Sequence, residues 1–229
     1  MNIGILCASD AELKPFLPMM EGTETVQKAM LTFYTGKISG QDVTALYSGA
    51  CKVNAALAAQ ILIDSFRCGA VINAGTAGAM DDRLKVFDTV VSTEAAYHDV
   101  GRDILTEFHP WLPSIWFAAS KDMLQASKDV VGAGERVFWG RMVTGEAFIN
   151  DEKRSVVKAR FAPLSVDMET GAVAHVCYVN RIPFIAVRTI TDSADRDSHG
   201  DFERNCARAS QISADFVRRF LPAIGKTVI

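Results

Sequence analysis

The stretch Leu164–Asp195, LSVDMETGAVAHVCYVNRIPFIAVRTITDSAD, predicts a strand, a helix and a second strand that ends in a polar turn. Apolar residues within Thr170–Asn180 recur near the spacing of a helix packed on a sheet. The continuously apolar run Phe184–Val187 is typical of a central parallel strand covered on both faces. A right-handed crossover would bring both strand ends to one edge of the sheet, where α/β proteins bind ligands. Glu169 and Asp192 are the acids at those two ends.

The bulk composition favours a globular protein that binds a small molecule. Its 229 residues are 49% apolar, and no linker, repeat or low-complexity tract divides them, so we expect one domain over 1–229. The net charge of −3 is spread over interspersed acids and bases, which predicts neither a nucleic-acid nor a membrane partner. The first residues lack the cationic and apolar pattern of a targeting segment, so we expect a cytoplasmic protein.

The cysteines and histidines do not predict a metal site. The five cysteines are an odd set without a Cys-x-x-Cys pair, and we expect them to be reduced and structural. His98 stands beside Asp99, but no third ligand follows at metal spacing. Neither a metal nor an organic cofactor is therefore predicted.

Strands alternate with helices along the remaining chain. Strands are predicted over 1–7, 30–38, 42–48, 70–73, 88–97 and 136–143, and helices after Ser9, over 52–66, 121–131, up to 160, and over 202–221. Gly75–Gly78 is expected to form a turn after its strand, where glycine lets the backbone approach a ligand. The pattern, with its β-meander, predicts a single mixed-sheet α/β/α sandwich.

Four segments, taken together, resemble the bacterial 5′-methylthioadenosine/S-adenosylhomocysteine nucleosidases, and the resemblance covers essentially the whole chain. The matching segments are the first strand with Glu12, then Asn73–Gly78, then Thr144–Asn150, and finally Val166–Glu169 with Arg188–Asp192. The resemblance implies the nucleoside phosphorylase fold, an adenine nucleoside as substrate and a homodimer.

The resemblance also implies a role for individual positions. Glu12 would be the general base that activates water, and Asp192 would donate a proton to N7 of adenine. Thr76 would lie near the water and the base, Phe148 would stack on adenine, and the backbone of Ile149 would read the adenine edge. Met168 and Glu169 would lie at the ribose, Arg188 would support the carboxylates, and Phe202 would line the 5′-alkylthio pocket. Gly78 and Thr191 are further substrate-binding positions that the resemblance implies.

The proposed chemistry explains why those residue types are needed. Cleavage of an N-glycosidic bond leaves a cationic sugar and an adenine anion, which is a poor leaving group unless N7 is protonated. A buried aspartate with a raised pKa suits that task, and Asp192 follows a buried strand. An ionised acid on the opposite face activates the water, as in inverting glycoside hydrolysis.

Two alternatives remain open. A purine nucleoside phosphorylase would need fixed positive charge for phosphate, but no arginine precedes Arg67 and the acid at Glu12 would repel that anion. A nucleoside-binding protein without turnover is expected to lack an acid or the base, whereas both are present here.

Departures from the family pattern leave the 5′ substituent open. Ser9 replaces a frequent methionine, Ala50–Cys51 replaces a bulkier residue and a glycine, and Glu107–Phe117 replaces a glycine-rich loop. In relatives that loop completes the partner's pocket, so we expect residues 97–117 to lie near a partner's site. The aromatic residues of this segment could equally form part of the core, or mark a subunit interface or a ligand pocket. S-adenosylhomocysteine, 5′-deoxyadenosine or aminodeoxyfutalosine could each be the preferred substrate.

Overall fold

The computed structural model describes residues 1–149, 151–192 and 198–227. Asn150 and the predicted polar turn at 193–195 lie outside the described residues. The strands are β1 (Asn2–Cys7), β2 (Glu21–Lys28), β3 (Leu31–Ile38), β4 (Gln41–Tyr47), β5 (Cys68–Ala79), β6 (Thr89–Tyr97), β7 (Phe117–Ala118), β8 (Val137–Thr144), β9 (Ser165–Asp167) and β10 (Phe184–Asp192). The helices are α1 (Asp10–Leu13), α2 (Lys52–Asp64), α3 (Ile104–Glu107), α4 (Lys121–Asp129), α5 (Asp151–Phe161), α6 (Thr170–Asn180) and α7 (Ser198–Thr227), and a 3₁₀ turn covers Leu17–Met19.

One mixed sheet runs through the described part of the chain. Its strand order is β10-β6-β8-β9-β5-β1-β4-β3-β2, and β10 also pairs with β5. The strands β10, β6, β8, β9 and β5 therefore close into a ring, and β1, β4, β3 and β2 extend from it as an open wing.

Helices cover both faces of this sheet, which confirms the predicted mixed α/β fold. The helices α2 and α6 pack over one buried cluster that includes Leu62, Val71 and Val173. On the other face, α1, α4 and α7 pack over a cluster that includes Ile5, Ile72 and Phe216, among others. All nine residues of β10 are buried, as its apolar sequence requires for a strand covered on both sides.

The parallel crossover predicted between β9 and β10 is wrong. β10 runs parallel to β5, whereas β9 runs antiparallel to β5 and parallel to β8. A short strand such as β9 takes its direction from whichever neighbours it pairs with, and the local apolar pattern does not encode that choice.

Three smaller differences concern local structure. Gly75–Gly78 is not a turn, because β5 continues through it to Ala79. The helix after Ser9 ends at Leu13, so it is a single turn. The strand β2 was not predicted, since it is polar and exposed along its whole length.

The segment before Lys121, which the sequence predicts to be irregular, contains two short elements, α3 and β7. Its aromatic residues divide into two groups: Phe117 is buried, whereas Phe108 and Trp111 are 62% and 66% exposed. Within the described residues, no helix is both long and apolar enough to cross a bilayer.

Candidate active site

One cavity of about 330 Å³ opens beside the ends of β5, β9 and β10. All of the predicted site residues except Arg188 line it, and Arg188 lies directly behind its wall. The lining residues are Ala8, Ser9, Glu12, Ala50, Thr76, Ala77, Gly78, Ala147, Phe148, Ile149, Val166, Asp167, Met168, Glu169, Thr191, Asp192 and Phe202. The two acids from opposite ends of the chain, Glu12 and Asp192, thus face the same space.

The carboxylate of Glu12 accepts four hydrogen bonds, two at the start of α1 and two from Thr76 on β5. Its Oε2 accepts from the backbone N–H groups of Ala8 at 2.7 Å and Ser9 at 3.2 Å, and the Ser9 hydroxyl accepts from the backbone of Glu12. This reciprocal pair is a capping box, in which the third helical residue reaches back to the N-cap. Its Oε1 accepts from the backbone N–H and the hydroxyl of Thr76, each at 2.8 Å. Glu12 is only 3% exposed, so its carboxylate has one fixed position.

Glycine at position 75 allows this approach between Glu12 and β5. A β-carbon at that position would collide with the carboxylate of Glu12. The Gly-x-x-Gly motif therefore lets the backbone come close to a carboxylate, although it does so within a strand instead of a turn.

Asp192 ends β10 on the other side of the cavity and is also 3% exposed. The hydroxyl of Thr191 lies 2.8 Å from Oδ2 of Asp192 and 3.3 Å from the carbonyl oxygen of Ala77. The side chain of Asn205 on α7 donates to the carbonyl oxygen of Thr191 at 2.9 Å. Backbone and side-chain contacts thus fix the end of the strand that carries this acid.

Gly78 of β5 brings the two acidic strand ends together. In the sheet it is the neighbour of Val166 on β9 and also of Asp192 on β10. Glu169 follows β9 by two residues, so it enters the cavity from the side of Gly78 opposite Asp192. Glu169 and Asp192 thus reach the same cavity, as the sequence predicts. They do so because β5 pairs antiparallel with β9 and parallel with β10, not because β9 and β10 are parallel.

Arg188 is completely buried behind the cavity and connects three carboxylates. Its guanidinium nitrogens lie 3.1 Å from Asp167 Oδ2, 3.4 Å from Glu169 Oε2 and 3.8 Å from Glu12 Oε1. The guanidinium also donates to the amide oxygen of Asn73, at 2.6 Å. One cation thus faces three acids in a region from which water is largely excluded, so the cluster remains acidic overall.

Burial is the main cause of the shifted pKa of Glu169, which contacts this cluster. It raises the pKa of the Glu169 carboxyl to about 7, and nearby Asp167 and Glu12 act in the same direction against the opposing effect of Arg188. One oxygen, Oε1, accepts from the backbone N–H of Cys51 at 3.0 Å. Burial therefore favours the protonated form of Glu169 more than in an exposed glutamate.

The opposite wall is largely apolar. Phe148 and Phe202 meet edge to face, with ring centroids 6.3 Å apart, and Met168 and Ile149 also line the cavity. Phe148 is 55% exposed at the mouth, as a plate for a planar ligand would be. Polar groups that fix orientation and an apolar wall are the usual parts of a small-molecule site.

Asp167 is the residue whose part the sequence did not reveal. Its Oδ1 accepts from the Thr144 hydroxyl at 2.6 Å and from the backbone N–H of Thr170 at 3.0 Å, while its Oδ2 contacts Arg188 and Thr170. Aspartate often accepts from backbone N–H groups two and three residues further on, as Asp167 does from Glu169 and Thr170, and this local habit could have marked it as an anchor for the start of α6.

The described residues contain no group of three or more His, Cys, Asp or Glu side chains arranged to hold a metal ion.

The profile of the phosphorylase superfamily matches residues 2–222. The chain is 34% identical to a 5′-methylthioadenosine/S-adenosylhomocysteine nucleosidase of Bacillus subtilis (strain 168), over 98% of this chain and 100% of that protein. Among solved structures, the nucleosidase of the same name from S. pneumoniae, bound to a transition-state inhibitor, aligns with a TM-score of 0.91 and 28% identity, covering 98% and 100% of the two chains. The futalosine hydrolase of Helicobacter pylori strain 26695 aligns with a TM-score of 0.89 and 27% identity, covering 97% of each chain.

Proposed function

The chain belongs to the phosphorylase superfamily, and from that premise we propose that it hydrolyses the N-glycosidic bond of 5′-methylthioadenosine and S-adenosylhomocysteine. The products are adenine and the 5′-substituted ribose. The observation that carries this proposal is the pair of buried acids, Glu12 and Asp192, on the wall of one nucleoside-sized cavity.

Glu12 is assigned as the general base. Its carboxylate is fixed by Thr76 and the capping box, so it can accept a proton from a water molecule that attacks C1′ of the ribose. A positioned proton transfer of this kind accelerates a reaction by about 10²–10⁴-fold.

Asp192 is assigned as the acid that protonates N7 of adenine. The base leaves as neutral adenine once N7 carries a proton, which removes the cost of expelling an anion. The contact with the Thr191 hydroxyl supports this role, because it fixes the orientation of the carboxyl group.

The remaining wall residues are assigned to binding. Glu169 lies where its carboxylate would accept hydrogen bonds from the ribose hydroxyls, with Met168 packed beside the sugar. Phe148 would stack on adenine, the backbone of Ile149 would read its edge, and Phe202 would line the space for the 5′ group. Gly78 and Thr191 complete the wall around the base.

The charge of the site favours water over phosphate as the second substrate. Among the described residues that line the cavity there is no lysine or arginine, whereas four of them are acids: Glu12, Asp167, Glu169 and Asp192. Arg188 lies behind the wall and is already engaged with three carboxylates. A phosphate ion would therefore meet negative charge without a cation to receive it.

The small side chains of Ser9 and Ala50 on the lining leave room for different 5′ substituents. We propose 5′-methylthioadenosine and S-adenosylhomocysteine as substrates, because the relatives carry their names. Aminodeoxyfutalosine is the alternative substrate, because a futalosine hydrolase is among the similar structures.

We further propose a cytoplasmic homodimer in which residues 97–117 lie near the partner's cavity. The exposed side chains of Phe108 and Trp111 in this segment support such a contact, since large exposed aromatic residues are enriched in subunit interfaces.

The test is to incubate the purified protein with 5′-methylthioadenosine, with and without phosphate, and to measure adenine. Equal release in both mixtures is expected for a nucleosidase. Release only with phosphate would instead identify a phosphorylase, and no release would identify a binding protein. The ratio kcat/KM for S-adenosylhomocysteine, 5′-deoxyadenosine and aminodeoxyfutalosine then identifies the preferred 5′ group.

A further inference from the structure

Two backbone N–H groups at the start of α2 donate to carboxylates, one of which lines the cavity. The backbone N–H of Cys51, the N-cap residue, donates to Oε1 of Glu169 at 3.0 Å. The next backbone N–H, that of Lys52, donates to Oε1 of Glu146 at 3.2 Å. The first N–H groups of a helix lack partners within the helix and attract negative charge, so two carboxylates satisfy them here.

The side chain of Lys52 extends this contact into a closed group of three charges. Its Nζ lies 2.9 Å and 3.0 Å from the two carboxylate oxygens of Asp99, and 3.8 Å from Oε1 of Glu146. Asp99 Oδ2 also accepts from the backbone N–H of Glu146 at 3.0 Å. Each of the three residues therefore contacts the other two, although they come from α2, the segment after β6 and the segment after β8.

The electrostatics of Asp99 agree with this arrangement. Partial burial acts to raise the pKa of its carboxyl, but the hydrogen bonds from Lys52 and from the backbone of Glu146 outweigh it and lower the pKa. The Lys52 side chain is 20% exposed and that of Asp99 is 29% exposed, so water screens this pair less than an ordinary surface pair.

The group adjoins the wall that faces the base. Ala147, Phe148 and Ile149 follow Glu146 directly, and all three line the cavity. On the other side of Glu146, Gly145 packs so closely on His98 that a β-carbon would collide with its ring. The start of this wall is thus fixed through His98, Asp99 and Lys52.

We propose that Lys52, together with Asp99 and Glu146, positions the wall Ala147–Ile149 relative to Glu169, and so sets the affinity for the base. Lys52 is a positioning residue because it does not line the cavity. This role rests on the proposed function only in taking adenine as the ligand of that wall.

A second ion group that contains a lysine provides a control. On α5, Lys158 lies 2.6 Å from Asp82 and Arg154 lies 3.3 Å from the same carboxylate. None of these three residues lines the cavity. Lys158→Met removes a lysine from an ion group without altering the base-binding wall.

The experiment compares Lys52→Met, Lys52→Arg and Lys158→Met with the wild-type chain. We measure kcat and KM for 5′-methylthioadenosine, the Kd for adenine and the Tm. Adenine release by the wild-type chain is measured first, so a failure of the proposed function is seen there, and a failure of the positioning role is seen only in the variant ratios.

We expect Lys52→Met to raise KM and the Kd for adenine about tenfold, with kcat within about twofold of wild type, because the wall is displaced while the acids are not. Lys52→Arg should stay within about threefold, since it retains the charge, and Lys158→Met should leave all three constants unchanged. The role is rejected if Lys52→Met binds adenine as tightly as wild type. It is also rejected if Lys158→Met weakens adenine binding equally, or if Lys52→Met lowers kcat alone.

Discussion

Glu12 and Thr76 lie 64 residues apart in sequence, and two hydrogen bonds of 2.8 Å join them. One of these bonds comes from the backbone and survives any substitution at position 76, whereas the other depends on the hydroxyl. Substitutions at position 76 can therefore measure how much the hydroxyl contributes to holding Glu12, apart from the backbone N–H.

Thr76→Val should lower kcat about tenfold to a hundredfold, because a hydrogen bond to a charged group contributes about 1.5–3 kcal/mol. Thr76→Ser retains the hydroxyl and should remain near wild type. Steady-state kinetics on the three proteins tests this, and a loss in Thr76→Ser as large as in Thr76→Val would reject the assignment of the effect to the hydroxyl.

Glu12→Gln should abolish hydrolysis and retain the binding of a nonhydrolysable adenosine analogue, because the amide cannot accept a proton from water. Asp10→Asn is the control, since Asp10 belongs to the same helical turn but is exposed and does not line the cavity. Calorimetric titration and an adenine assay give the two readouts. An equal loss of activity in both variants would show that Glu12 only stabilises its helix and does not act as the base.

Asp192→Asn should lower kcat by about 10²–10⁴-fold and leave the fold intact, because asparagine keeps the shape of the side chain but has no proton to give to N7. Asp88 is an equally buried aspartate, paired with Arg136 at 2.7 Å, and it lies outside the cavity. Asp88→Asn should lower Tm without a matching loss of kcat. Substantial hydrolysis by Asp192→Asn would refute the assigned role.

The buried carboxyl of Glu169 predicts a dependence of stability on pH. Burial raises its pKa from 4.5 to about 7, so between these values the folded chain holds a proton that the unfolded chain has released. The free energy of unfolding should consequently fall as pH rises through this window, by on the order of 3 kcal/mol. Urea unfolding at several pH values measures it, and Glu169→Gln should remove this part of the slope. Identical slopes would show that Glu169 titrates normally.

Cys51 has a backbone conformation, φ 82° and ψ 162°, that favours glycine. Cys51→Gly should raise the free energy of unfolding by about 1 kcal/mol, since it relieves this strain and keeps the N–H donor to Glu169. Cys51→Ala is the control because it removes the thiol but keeps the β-carbon. A gain of stability in Cys51→Ala as large as in Cys51→Gly would assign the effect to the thiol.

The sequence predicted the residues that line the cavity better than the path by which they reach it. The sequence predicts parallel strands that bring Glu169 and Asp192 to one edge, whereas in the structure Gly78 joins the two strands, pairing parallel with β10 and antiparallel with β9. Apolar patterns report burial, and β9 and β10 are buried whichever way they run.

Two parts of the site depend on contacts that sequence patterns do not reveal. The anchoring of Arg188 by Asp167 and Asn73 joins residues from three strands, and the contact of Lys52 with Asp99 joins a helix to a distant segment. Each of these residues has an ordinary local setting, so its role is visible only in three dimensions. The chemical roles assigned to Glu12, Asp192 and the binding residues stay predictions for the experiments above.

Gly78 pairs with both β9 and β10, so the positions of these two strand ends depend on the backbone and not on which side chains line the pocket. Because strand pairing joins this one residue to both β9 and β10, the ends that carry Glu169 and Asp192 are fixed to a common point of the backbone. Pocket side chains such as Ser9 and Ala50 can then change, and different nucleosides be accommodated, without a change in that backbone geometry.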